Sequence, residues 1–203
     1  MTSISKTGHS GGPGPDDEPD CDDGILRLPP GDRSLAGTRP ASSDFMFAEL
    51  KGVDLRGADL YWAMFHDAVL EDANLSGCDL RGATLNGANL RGASLRGAKL
   101  CLDGLGGRTD FLKCDLSGAD LRDADIGGAD FTGALMTGAD LRGARAVSVL
   151  ADRPTRFNGV NLTDAWLVGA ELKGAVYDER TVFPRKFRPE RVGMVTPMKK
   201  GWR

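Results

Sequence analysis

The sequence predicts an all-β solenoid, a rod of stacked square coils with about twenty residues in each coil. Three observations predict this fold. A five-residue pattern recurs through most of the 203 residues, glycine is present in 28 copies, and aromatic residues make up only 6% of the chain. From Ala73 to Gly97 the pattern is unbroken: a small residue, a polar residue, leucine, a polar residue and glycine. A period of five fits neither an α-helix nor a flat strand. Side chains return to the same face about every 3.6 residues in a helix and about every 2.0 residues in a strand.

Each five-residue block is predicted to form one side of a coil. The central leucine and the small residue two before it point inward, and the polar residues on either side of the centre point outward. Glycine supplies the backbone angles that a corner needs, and it disfavours a long helix by roughly 1 kcal/mol per residue. Four sides close a coil, and the coils pair at about 4.8 Å. Twenty-six blocks therefore predict about six to seven coils and a rod on the order of 30 Å long.

The central residues can be counted from Phe45 to Tyr177 with two interruptions. Thirteen central residues run from Phe45 to Leu105, one extra residue enters at Gly106–Thr109, and six extra residues follow Ala146. This count predicts two columns that collect the aromatic side chains. One column is Leu50, Leu70, Leu90, Phe111, Phe131, Phe157 and Tyr177, and the other is Phe45, Phe65, Leu85, Leu105 and Ile126. In the second interruption, we expect apolar residues to pack on the rod and polar ones to form an exposed turn. These are Val147, Val149 and Leu150, and then Asp152, Arg153 and Pro154.

The two ends of the chain depart from the repeat. Residues 1–42 are predicted to be a disordered or extended arm, because the first 24 are rich in glycine, proline, serine and acidic residues. Residues 43–180 form the predicted β-helix, and residues 181–203 a short cap and basic tail. An exposed end of a solenoid needs such a cap. The candidate capping side chains are Phe183, Phe187, Val192 and Met194.

The A-(D/N)-L-x-G blocks resemble the pentapeptide-repeat family. The resemblance covers about residues 43 to 183, and it implies a right-handed quadrilateral β-helix. The T-x-F-P segment after Tyr177 resembles the end of many single-domain members of that family. Because the repeat residues make the fold, the resemblance says little about function.

The sequence contains no recognisable catalytic constellation. His9 lies in the predicted arm and His66 at an outward position, and the aspartates occur one per block rather than in a cleft. No phosphate-binding glycine motif occurs. We therefore expect a non-enzyme without cofactor or metal. The net charge of −3 argues against direct nucleic-acid binding. The absence of long apolar runs argues against membrane insertion.

The cysteines and the N-terminus predict a reduced, cytoplasmic protein. No C-x-x-C spacing occurs and no apolar segment of a secretory signal is visible. Cys78 and Cys114 occupy the inward small position. Cys101 follows a central residue, so it is expected to be exposed and the most reactive thiol.

Apolar side chains at outward positions are the candidate partner-binding residues, because such positions are normally polar. Together with two charged residues of the interruption after Ala146, the candidates are Tyr61, Trp62, Met64, Val69, Asp152, Arg153, Trp166 and Val168. Val176 accompanies the last two. The alternative is that the ends of the chain cover these positions. The arm residues Ile25, Leu26 and Leu28 would then cover the first group, and tail residues the group at Trp166.

The first function hypothesis is a rigid, non-catalytic interaction module for an unidentified protein partner, acting as a monomer or homodimer. The alternative is a DNA mimic, because the repeat is similar to that of the quinolone-resistance pentapeptide proteins. That resemblance implies binding to DNA gyrase and topoisomerase IV in place of DNA. Arginines interleave with the aspartates, however, and residues 43–180 carry 15 basic and 21 acidic residues. Opposite charges this close cancel beyond about 8 Å. The interleaved arginines are Arg56, Arg81, Arg91, Arg96, Arg122 and Arg142.

Overall fold

The chain winds as a stack of four-sided coils in which each side pairs with the same side of the next coil. The computed structural model describes residues 34–40 and 44–196. Within them every isolated bridge is parallel, and most bridges join residues twenty apart, as Asp59 and Asp79 do. The pairing already includes Ser34, upstream of the predicted start at residue 43. The arm residues 1–33, with Ile25, Leu26 and Leu28, lie outside the described residues.

Each side has one local structure. The carbonyl of the central residue accepts the N–H three residues later, as from Ala98 to Leu95 at 3.0 Å. The residue two after the centre turns the corner with a positive φ, which is 65° at Gly97. That conformation costs an ordinary residue roughly 1–2 kcal/mol, which explains why most blocks end in glycine. Successive coils are joined by the central N–H, as from Leu95 to Asp120 O at 2.8 Å.

The inward positions form one continuous core, as predicted. The central residues and the small residues two before them are nearly all fully buried. Cys78 and Cys114 occupy small positions, and their thiols donate to Leu55 O and Leu85 O at 2.8 and 2.6 Å. Burial raises the pKa of Cys78 to about 11 and that of Cys114 to about 12. Both cysteines therefore act as small buried hydrophobic residues.

The four sides are numbered in chain order, starting from the side of Leu60. The first side has the central residues Leu60, Leu80, Leu100, Ile126, Ala146 and Leu172. The second side has Phe45, Phe65, Leu85, Phe111, Phe131, Phe157 and Tyr177. The third side has Leu50, Leu70, Leu90, Leu116, Met136 and Leu162. The fourth side has Leu35, Leu55, Leu75, Leu95, Leu121, Leu141 and Leu167.

The two predicted aromatic columns are wrong, because the buried phenylalanines of the coils share the second side. Ring centroids are 4.8 Å apart for Phe45 and Phe65, 4.9 Å for Phe111 and Phe131, and 5.5 Å for Phe131 and Phe157. All three pairs are stacked within 14° of parallel. One aromatic column therefore runs along one side of the core.

The error arises at Leu105, which was predicted to be a central residue and is instead 89% exposed. The first interruption adds six residues rather than one, since the bridge from Thr84 to Asp110 joins residues 26 apart. The bridge from Asp130 to Arg156 has the same separation across the second interruption. Both interruptions therefore add the same length.

The C-terminal cap covers the end of the core only in part. Val182 pairs with Asn161 on the third side and Val195 with Val176 on the second. Between them lies a 3₁₀ helix, Pro189–Val192, the only helix of the described residues. Three of the four predicted capping residues pack on the core and the fourth is 36% exposed. The packed residues are Phe183, Phe187 and Met194, and the exposed one is Val192.

Candidate partner-binding surface

Two loops leave the coil at the same corner. The first loop, residues 101–108, follows Leu100, and the second loop, residues 147–154, follows Ala146. Both of these residues are central residues of the first side, two coils apart in one column. The loops therefore stand above one another with one coil between them.

Each loop rejoins the coil at a fully buried threonine that replaces the usual alanine. The hydroxyl of Thr109 donates to Leu80 O at 2.9 Å. The hydroxyl of Thr155 lies 2.8 Å from Ala146 O and accepts the N–H of Gly128 at 2.8 Å. A buried hydroxyl needs such partners, so these bonds define the point at which each loop ends.

The first loop is held on the rod by the carboxylate of Asp103, which is 5% exposed. Its Oδ2 accepts hydrogen bonds from Tyr61 Oη at 3.0 Å and from Trp62 Nε1 at 2.9 Å. Its Oδ1 accepts the N–H groups of Leu105 at 2.8 Å and Gly107 at 2.6 Å. Burial alone would raise the pKa of Asp103, but these four bonds lower it below its usual value. The carboxylate therefore joins the loop to the coil two levels below.

Trp62 supports this loop with its ring. The residue turns a corner at φ 58°, a conformation that is rare for a bulky side chain. A Cβ on Gly82 would lie 2.9 Å from the ring, and one on Gly107 would lie 2.7 Å from it. The ring therefore fits between two residues that have no side chain. Tyr61 beside it lies under the guanidinium of Arg81, 5.7 Å from the ring centroid.

Two arginines join the loops to one another. Arg108 of the first loop donates from Nη1 to Gly128 O at 2.6 Å and to Pro154 O at 3.0 Å. Arg153 of the second loop donates from Nη1 to Gly106 O. Charged donors make the stronger hydrogen bonds in proteins. The two loops therefore form one surface feature, which we call the paired-loop ridge (residues 101–108 and 147–154).

The coil between the loops has no side chain where they cross it. A Cβ on Gly128 would lie 2.4 Å from Cγ of Leu102, and one on Gly127 would lie 2.5 Å from Val147 O. Consecutive glycines therefore let both loops lie directly on the backbone. Leu102 is buried there at 5% exposure.

The tips of the ridge present apolar side chains. Leu105 is 89% exposed and Val149 85%, and Val147 and Leu150 are each about 40% exposed. A Cβ on Gly106 would lie 3.6 Å from Leu150 Cδ1, so Leu150 of the second loop lies beside the residue that follows Leu105. Exposed apolar groups that adjoin one another are typical of interaction sites. The expectation that Val149 packs on the rod is wrong.

The rest of the surface consists largely of ion pairs. Arginine and aspartate two residues apart pair at 2.6 Å in Asp79–Arg81, Asp120–Arg122 and Asp140–Arg142. Hydrogen bonds from these arginines lower the pKa of each aspartate. Four of the six interleaved arginines therefore pair within their own block, whereas Arg91 pairs with Asp115 and Arg96 with Asp123 in the next coil.

The described residues show no arrangement typical of a metal centre or a membrane span. Over residues 34–40 and 44–196, no cluster of three or more histidine, cysteine or acidic side chains is placed to hold a metal ion. No helix in those ranges is both long and apolar enough to cross a membrane. Cys101 is half-buried rather than exposed, and burial raises its pKa.

The family model described as pentapeptide repeats matches this chain in eight copies, over residues 63–100 and 113–148. The gap between the two ranges contains the first loop. The pentapeptide repeat protein alr5209 from Nostoc PCC 7120 is 30% identical over 66% of this chain and 84% of that one, with a TM-score of 0.26. The chain belongs to the pentapeptide-repeat family. Its coil is accordingly the right-handed quadrilateral β-helix of that family. No curated protein sequence matches the chain.

Several solved structures are similar to this pentapeptide-repeat chain. The pentapeptide repeat protein Rfr23 from the cyanobacterium Cyanothece 51142 is 30% identical, over 52% of this chain and 63% of that one, with a TM-score of 0.44. HetL from Nostoc sp. strain PCC 7120, which is involved in heterocyst differentiation regulation, is 29% identical over 76% and 78% (TM-score 0.23). Full-length QnrB1, a plasmid-mediated fluoroquinolone resistance protein, is 18% identical over 76% and 93% (TM-score 0.28). The chain thus spans less than two thirds of the first of these structures.

The structure separates the candidate residues of the first coils of this pentapeptide-repeat protein. Tyr61 and Trp62 both donate hydrogen bonds to Asp103 of the first loop. The segment of this chain that contacts them is therefore the first loop, whereas the sequence suggested the N-terminal arm. Met64 pairs on the second side and Val69 on the third. These four residues therefore do not form one patch.

The other candidates fall into two places. Arg153 and Asp152 belong to the paired-loop ridge, where Asp152 is exposed. Trp166 and Val168 lie on the fourth side of the last coil, 58% and 75% exposed, beside the cap. Leu105 is not among the sequence-based candidates because it lies five residues after Leu100, which is the spacing of a central residue.

Proposed function

We propose that this pentapeptide-repeat protein is a non-catalytic interaction module and that the paired-loop ridge binds its protein partner. One observation carries the proposal: two insertions of equal length leave one corner, bond to each other and expose Leu105 and Val149 at their tips. Exposed apolar side chains without function are a liability for solubility. A partner that buries them explains their position.

The contacts beneath the ridge support a binding role. Asp103 accepts four hydrogen bonds, and Arg108 and Arg153 join the loops, so little conformational entropy is left to lose on binding. Apolar anchors on a rigid support are the usual source of interface affinity. We infer that the partner presents an apolar pocket with polar groups at its rim.

The double variant Leu105→Asp, Val149→Asp is expected to lose its partner. The test is affinity capture from the source cell with cross-linking, using the full chain as bait. Two charges at the tips oppose burial of the site. The yield of a protein that the wild type captures should therefore fall at least tenfold, which corresponds to a loss of about 1.4 kcal/mol in binding free energy.

Leu135→Asp is the matched control. Leu135 is 46% exposed on the third side, and aspartate and asparagine occupy its column in the adjacent coils. The control should capture the same protein as the wild type. A protein captured equally by all three baits, or none captured by any of them, contradicts the proposal.

The DNA-mimic hypothesis receives less support from this surface. A DNA mimic needs rows of unpaired carboxylates. Here four aspartates each form an ion pair with the arginine two residues later: Asp54, Asp79, Asp120 and Asp140. We expect no inhibition of supercoiling by purified gyrase at micromolar protein, with or without a quinolone. Inhibition that Leu105→Asp, Val149→Asp abolishes would instead identify gyrase as the partner of the ridge. The cytoplasmic location stays a prediction.

A further inference from the structure

Among residues 34–40 and 44–196, no strand pairs above the fourth side of the last coil. The chain pairs through Val182 on the third side and through Val195 on the second. Between these it crosses the end of the rod as the 3₁₀ helix Pro189–Val192, and no bridge of the described residues continues the fourth side or the first. Leu167 is therefore only half-buried, whereas its counterpart Leu141 in the coil before is fully buried.

The backbone at this position is an open edge of the parallel ladder. In the preceding coil, Leu141 N–H donates to Trp166 O at 2.8 Å, and Trp166 N–H donates to Ala139 O at 2.9 Å. The same pattern, continued by one coil, would use Leu167 N–H and Ala165 O. No residue within 34–40 and 44–196 pairs with these two groups. Such an edge can accept one further strand.

The side chains around the edge form a groove of about 750 Å³ between the last coil and the cap. Trp166, Val168, Phe187 and Val192 supply its apolar surface. The charged lining residues are Arg185 and Lys186 against one acidic residue, Asp164, and residues 181–196 carry four basic residues and one acidic residue. The rim is therefore basic on balance. An occupant is therefore an extended apolar strand with acidic residues beside it.

We propose that residues 22–28 of a second copy of this chain fill the groove as the missing strand. This segment, D-D-G-I-L-R-L, lies outside the described residues, and it ends an acidic run that begins at Asp16. With Leu26 above Leu167, Ile25 lies beside Trp166, because side chains alternate along a strand. The two aspartates then precede the strand, where the chain enters the fourth side from the third and where the basic rim begins. The basic tail at residues 197–203 has the wrong charge for this rim.

Chain length assigns the strand to another copy. The fourth side has six ladder steps from Ser34 to Trp166, which is about 29 Å at 4.8 Å per step. If Leu28 ends the strand, the six steps of chain from Leu28 to Ser34 span at most about 22 Å. A molecule therefore cannot reach its own groove, whereas two antiparallel rods can exchange arms reciprocally and close a symmetric dimer.

Sedimentation of the full chain across a range of micromolar concentrations tests this proposal. The wild type is expected to dimerise, and Leu26→Asp and Val168→Asp are each expected to weaken the dimer at least tenfold. Val149→Asp is the control, since Val149 is as exposed as Val168 but lies on the ridge. It should dimerise like the wild type. Added salt should weaken the dimer because it screens the aspartates from the basic rim.

Three results would overturn the proposal. One is a wild type that stays monomeric at every concentration. Another is a dimer that Val168→Asp dissociates but Leu26→Asp does not, because the two grooves would then contact each other directly. The third is a dimer that only removal of residues 197–203 dissociates, which would assign the groove to the tail. The ridge proposal is unaffected by any of these outcomes because the ridge lies at another corner.

Discussion

Phe131→Ala is expected to lower the free energy of unfolding by about 3–5 kcal/mol. Phe131 is fully buried and lies in the middle of the aromatic column, stacked on Phe111 at 4.9 Å and on Phe157 at 5.5 Å. Its removal leaves a cavity between two rings that the paired backbones above and below hold apart. Urea denaturation of the full chain, followed by circular dichroism, measures the change.

Phe47→Ala is the matched control for this substitution. Phe47 is 53% exposed and turns a corner at φ 59°. The same atoms are removed, but no cavity forms, so stability should change by about 0.5 kcal/mol or less. Equal losses for the two variants would show that the second side does not hold the aromatic core.

Asp103→Ala is expected to release the first loop and to cost about 2–4 kcal/mol. The substitution removes four hydrogen bonds to a charged group and leaves the donors Tyr61, Trp62, Leu105 and Gly107 without it. Bonds of this kind contribute roughly 1.5–3 kcal/mol each. Part of this loss is offset because the released donors form hydrogen bonds with water once the loop opens. Urea denaturation and the fluorescence of Trp62 report the change. Asp152→Ala, at an exposed position of the other loop, should have no such effect.

The pH dependence of the wild type provides a second readout of Asp103. The folded-state pKa is lower than the unfolded one, so the contribution of this carboxylate is fully present above the unfolded pKa. It is lost as the pH falls through the folded pKa. The wild type should therefore lose stability in acid more steeply than Asp103→Ala. Parallel acid curves for the two proteins would contradict the role given to the carboxylate.

The repeat made the coil predictable because every block has the same function in the fold. From Phe45 to Leu100 every predicted inward position that the structure describes is buried. The register failed at Leu105 because a leucine falls five residues after Leu100 by coincidence. A signal for the correct register does exist: T-x-F occurs at Thr109–Phe111 and again at Thr155–Phe157, after each loop.

The ridge was beyond prediction for a different reason. Its contacts join residues far apart in the chain, such as Tyr61 and Asp103 or Gly106 and Arg153. A local pattern carries no information about such pairs. The apolar outward positions of Tyr61 and Trp62 did indicate that something covers them, but its identity depended on the true length of the first interruption.

Hydrogen exchange of the full chain tests most directly whether the two loops form one rigid ridge. The amides of Asp103, Gly106 and Gly107 are all hydrogen-bonded within the first loop, and that of Arg153 is bonded within the second. The expected result is slow exchange for peptides covering residues 101–108 and 147–154 in the wild type. Arg153→Ala removes the bond to Gly106, so exchange should become faster in residues 147–154 while Asp103 still holds residues 101–108. Exchange of both loops at the rate of an unstructured peptide in the wild type would contradict this expectation.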